Sequence, residues 1–105
     1  MRERAIVPFD AEQWLDEAAG VRALVRDVEG ARWAVVEYAP GAGRPEWCAI
    51  GHRGYVVSGE IEYEFESGGS VTARAGQGFV LPGGDNHRGR NRGDETARLL
   101  VIDEG

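Results

Sequence analysis

At Gly20 the hydrophobic period of the chain changes from helical to two, and it stays near two almost to the C-terminal end. Val21 to Val28 and Arg32 to Tyr38 are valine-rich, and Glu29-Gly30 between them reads as a tight hairpin turn. Pro40 to Pro45 carries two prolines and two glycines and reads as a loop. Strand-like segments follow at Glu46 to Ile50, Gly54 to Ser58, Glu60 to Glu66, Val71 to Ala73, Gly78 to Leu81 and Ala97 to Ile102. That makes about nine short strands when an N-terminal one is counted, with turn signals roughly every 8 to 12 residues. An all-β sandwich or barrel is the architecture such spacing favours. In Glu60–Glu66 the alternation is strict: Ile61, Tyr63 and Phe65 face one way and four glutamates face the other. Those glutamates read as a solvated sheet face.

One stretch ahead of Gly20 reads differently. Asp10 to Ala18 has the pattern of a short helix, with Asp10 as N-cap and Gln13 completing a capping box. Trp14 and Leu15 would pin it to the sheet. The 105 residues suit one domain, with an extension over 1–20 and a barrel core over 21–103. A net charge of −6 disfavours nucleic acid as a general partner, because phosphate repels it. All twelve bases are arginine. The lone Cys48 rules out an intramolecular disulfide, and no apolar run suits a signal peptide or a membrane span. A cytoplasmic protein with no membrane partner is therefore expected.

The segment from Gly76 to Asn91 is the most specific in the chain. Glycine, five residues, proline, one residue, glycine, two residues, histidine, three residues and asparagine fall at Gly76, Pro82, Gly84, His87 and Asn91. This resembles the second conserved motif of the cupin superfamily. The Pro82–Gly84 turn would deliver His87 to the start of a strand. The resemblance spans roughly residues 32 to 102 and implies a cupin barrel, a double-stranded β-helix of jelly-roll type, here with a short N-terminal helix.

In that family the first motif supplies a His-x-His pair, a glutamate, and a glycine seven residues beyond the glutamate. Gly59 fills the glycine place, and counting back puts His52 where the family has glutamate. Cys48 and Glu46 then stand where it has histidines. This permuted set, Glu46, Cys48, His52 and His87, is what the resemblance implies as a metal site. Both histidines and the one cysteine of the chain fall on ligand positions. Mixed thiolate, imidazole and carboxylate donors suit zinc first, with iron, nickel or cobalt as alternatives. A metal-free barrel, with Cys48 and the histidines as core residues, is the plainer alternative. Glu46 lies beside a loop and could instead support the other ligands.

Further expectations concern the surroundings. Trp47 should point away from the site into a core or dimer face. Arg88, Arg90 and Arg92 read as a solvated face, or one of them as an anion anchor at the rim. Gly54 would leave space above the metal for a ligand. Either Glu37 or Tyr38, but not both, should point into the cavity. Two functions remain open: a small metalloenzyme acting on an organic metabolite, with Glu46 or Tyr38 carrying a proton, or a non-catalytic binding or sensor module. The resemblance also implies a homodimer, joined through the N-terminal segment before Gly20.

Overall fold

The fold is that of a computed structural model, which describes residues 4–9 and 13–104. Among the described residues, nine strands make two antiparallel sheets. They are β1 (Leu15–Ala18), β2 (Val21–Val28), β3 (Ala31–Tyr38), β4 (Gly51–Ser58), β5 (Glu60–Phe65), β6 (Ser70–Arg74), β7 (Gly78–Leu81), β8 (His87–Arg90) and β9 (Ala97–Glu104). The larger sheet runs β1-β2-β3-β9-β4-β7 and the smaller β6-β5-β8. No helix among the described residues is long and apolar enough to cross a membrane.

Local chemistry explains the hairpins. Glu29 and Gly30 both have positive φ, 51° and 78°, the requirement of a two-residue turn whose twist matches its flanking strands. Val28 accordingly pairs with Ala31, and the register runs unbroken to Val21 opposite Tyr38. In β5, Ile61 and Tyr63 are buried, while Glu60, Glu62 and Glu64 pair with Arg74, Arg92 and Arg88 on neighbouring segments. The outer face of the small sheet is thus a lattice of exposed or half-exposed ion pairs, each worth little on its own.

Side chains of both inner faces meet in one apolar cluster that includes Val21, Val36, Val56, Ile61, Leu81 and Leu99. Burial of this kind, about 25 cal/mol per Å² of apolar surface, is what closes the two sheets on each other. The rows across the large sheet differ in chemistry along the barrel axis. One row sets Ala34, Val101, Gly54 and Phe79 side by side and is apolar. The next sets Arg32, Asp103, His52 and Leu81 side by side, so this end of the large sheet brings charged groups and an imidazole into the interior.

Two expected elements are not found. The helix over Asp10–Ala18 is replaced by β1 at its C-terminal end, and Asp10 to Glu12 lie outside the described residues. A two-turn helix is marginal by itself, whereas Leu15 and Asp16 gain backbone partners on the edge of β2 opposite Ala23 and Arg22. Trp14 meets the sheet through the guanidinium of Arg22, 4.2 Å from the ring centroid. Glu46–Ile50 forms no strand either. It makes one isolated bridge, Cys48 with His87.

Candidate metal centre

The polar end of the barrel opens into a cavity of about 710 Å³. Three elements deliver its nitrogen and sulfur donors. Gly84, with φ 84°, completes the turn after Pro82 that sends the chain into β8, where His87 is the first residue. The Cys48 amide donates to the His87 carbonyl at 2.8 Å, and the His87 amide donates back at 3.0 Å. Cys48 is therefore fixed beside His87 although its segment is not a strand. His52 arrives from β4 on the same inward face as buried Val56. Beyond His87, Asn91 is fully buried and donates to the carbonyls of Tyr38 and Glu95, which locks the end of β8.

The ligand-capable atoms of Cys48, His52 and His87 lie within 4.8 Å of one another. The imidazole rings stand edge to face at 5.0 Å. Hydrogen bonding fixes the tautomers. His87 Nδ1 lies 3.0 Å from the Asp85 carbonyl, which can only accept, so Nδ1 carries the proton. Its Nε2, the nitrogen left to act as a ligand, is buried and has no hydrogen-bond partner. His52 Nδ1 lies 2.7 Å from Asp103 Oδ1, which leaves its Nε2 facing Cys48 Sγ at 3.7 Å. Burial lowers the His52 pKa from its ordinary value despite the attraction of Asp103. A neutral ring with Nδ1 anchored on a carboxylate is the form in which histidine binds a metal.

A soft sulfur and two imidazole nitrogens this close together suit a transition metal rather than a hard cation. An unpartnered buried nitrogen costs roughly 1–3 kcal/mol, and coordination would satisfy it. The residues fit the group. Glu46 lines the same cavity but is exposed and stands outside this close cluster.

Tyr38 points inward and Glu37 outward, where it is held by Arg22 and Arg98. Gly54 does not leave room for a ligand. A Cβ there would overlap the Phe79 ring and lie 2.8 Å from the Leu100 carbonyl oxygen, so the space belongs to Phe79. Trp47 does not point away from the site into a core: it lines the cavity, half-buried beneath the Arg88 guanidinium, 4.1 Å from its ring centroid. Arg88 and Arg92 pair with Glu64 and Glu62 on the outer face.

Four polar residues of the cavity were not singled out from the sequence: Glu17, Arg32, Arg44 and Asp103. Asp103 had a signal, since it keeps the inward parity of Ala97, Leu99 and Val101. Arg32 likewise shares the parity of Ala34 and Val36. Arg44 and Glu17 had none, for one lies in an irregular loop and the other in a segment read as helix.

Two antiparallel sheets packed face to face, with a Cys-His-His cluster in a cavity at one end, define a small β-barrel-like protein. The chain belongs to the cupin family: the Cupin domain model matches residues 34–103. Its structure is similar to that of KdgF from Halomonas sp., with a TM-score of 0.74 and 20% identity over 96% of this chain and 94% of that one. An RmlC-like cupin from Shewanella frigidimarina gives 0.74 and 16%, over 96% and 90%. Oxalate oxidase gives 0.67 and 26%, over 80% of this chain and 50% of that one. No curated protein matches the sequence.

Proposed function

We propose that this cupin binds one divalent metal, zinc in preference to iron, nickel or cobalt, through Cys48 Sγ, His52 Nε2 and His87 Nε2. A small organic metabolite would be taken up in the cavity beside it. The unpartnered, buried Nε2 of His87 carries the reading, because a structural histidine would have found a partner for that atom. A metal held by these three donors would keep a place for water or a ligand, the pattern of a catalytic rather than a closed structural centre. This favours an enzyme over a purely structural or metal-free module. Glu46, the remaining residue of the expected set, lines the cavity outside the donor cluster and is not needed for the assignment.

When bound, the metal would supply Lewis acidity, or a water activated near neutral pH. The chain supplies the rest. Apolar Val36, Leu99 and Val101 on the cavity wall limit water. Tyr38 is buried, which raises the pKa of its phenol, so it stays protonated. Its oxygen accepts a hydrogen bond from Arg44 Nε at 2.9 Å, so its own proton is free to be donated into the cavity.

Elemental analysis of protein purified without chelators, and again after incubation with zinc, iron and nickel salts, tests the assignment. About one equivalent per chain is expected in the wild type and in Glu46→Ala, and a loss to near zero in Cys48→Ala. A wild-type protein that stays empty after such incubation would overturn it.

A further inference from the structure

The mouth of the cavity holds a second polar constellation, distinct from the three donor residues. Arg44, from the loop before Cys48, spends Nε on Tyr38 and sets Nη2 2.6 Å from Glu17 Oε1. Arg32, at the polar end of β3, sets Nη2 3.4 Å from Glu17 Oε2. One carboxylate therefore bridges two guanidinium groups, one oxygen to each.

Glu17 gets there through a β-bulge, a common feature of edge strands. In β1, Asp16 pairs with Arg22 and Ala18 with Val21, so Glu17 is the extra residue of a β-bulge. A bulge re-aims a side chain that regular pleating would send elsewhere. Here it turns a carboxylate towards the cavity, where Glu17 is four-fifths buried. β1 is an edge strand of the larger sheet, held on one side only, by β2.

Two arginines share this single carboxylate, while the other acids lining the cavity are Asp103, held by His52, and Glu46. Arg44 has five N–H donors, and two of its nitrogens are engaged in the contacts above. The pair is thus built to hold a carboxylate, and Glu17 supplies one from within the chain.

We propose that Arg44 and Arg32 form the anion subsite of the cavity, and that Glu17 is an internal stand-in which the carboxylate of a small organic acid displaces. The inference rests on the ligand-binding reading above and names its substrate class: an acid whose carboxylate docks at the mouth while its other end reaches towards Cys48, His52 and His87. Displacement exchanges one arginine–carboxylate pair for another, so its free-energy cost is small, and bidentate geometry favours carboxylates over neutral analogues. Affinity is held down by the tethered competitor, whose effective concentration is high.

The test is calorimetric titration of lactate and succinate, with lactamide and succinamide as neutral controls, into wild type, Glu17→Gln and Arg44→Gln. Each protein is used metal-free and zinc-loaded. Glu17→Gln is expected to bind at least one of the acids about tenfold more tightly than wild type, and Arg44→Gln about tenfold more weakly. The amides should bind to none. The Glu17→Gln gain must appear in the metal-free protein as well, so that failure of the zinc centre and failure of the subsite are read separately. Equal affinities across the three proteins, or no binding of either acid by Glu17→Gln, would overturn the proposal. Glu17→Gln gains rather than loses affinity, so misfolding cannot imitate the expected result.

Discussion

Glu37 and Tyr38 are neighbours in β3, yet they belong to opposite worlds. On the outer face, Glu37 accepts from Arg22 Nε and Nη2 with one oxygen and from Arg98 Nε and Nη2 with the other. Every strong valence there is closed within the chain. On the inner face, Tyr38 opens onto a cavity in which His87 Nε2 is buried with no partner at all. Both regions are polar and sheltered. Charge and burial do not separate a structural cluster from a functional one, but the bookkeeping of lone pairs does.

Three measurements can break or sharpen that contrast. The largest effect should come from the scaffold both faces share. Gly54→Ala forces a methyl into the Phe79 ring and should cost about 3 kcal/mol in urea unfolding, with or without zinc. A cost near zero would mean that Phe79 can move and that ligand space above His52 exists after all. Next, Asp103→Ala removes the anchor of His52 Nδ1 and should weaken zinc binding by about 10- to 100-fold in competition with a chromophoric chelator. Unchanged affinity would show that the His52 orientation does not matter to the centre.

The smallest effect belongs to the closed cluster. Glu37→Gln should lower stability by about 1 kcal/mol at neutral pH, since both arginines are half exposed, and should leave zinc affinity alone. Burial pushes the Glu37 pKa up, but the hydrogen bonds and charges of Arg98 and Arg22 together hold it below the ordinary value of 4.5. Its contribution is therefore present above the unfolded-state pKa and lost as pH falls through the depressed one. The stability gap between wild type and Glu37→Gln should close on acidification below about 4.5, followed by unfolding at a series of pH values. A gap that widened on acidification would reverse the assignment.

Much of this was legible in the residues. β2 and β7 have the bounds read from valine patterning and turn signals, because a strand buried on one face leaves a strong period of two. The Gly76–Asn91 spacing placed His87, because a turn of fixed chemistry delivers it. The first motif was legible by count alone, and Cys48, His52 and His87 do converge. What failed were places where tertiary contact overrides local signal. Asp10–Ala18 has helical spacing, but the open edge of β2 offered Leu15–Ala18 a ladder. Gly54 was read as empty room, since a sequence does not show that Phe79 on another strand fills it. Glu17 and Arg44 are 27 residues apart and meet only because a bulge and a loop happen to face each other.

The Cys48 segment has a consequence for how such a site can change over time. Gly41, Ala42, Arg44 and Cys48 are tied to β8 and Asn91 through main-chain atoms alone. Main-chain hydrogen bonds are blind to side-chain identity, so the path of this segment does not depend on what stands at position 46 or 48. Donors there can be exchanged without re-solving the fold, and each exchange presents a new set of atoms to the same cavity. A barrel wired in this way is a socket in which the chemistry can be replaced while the housing stays the same.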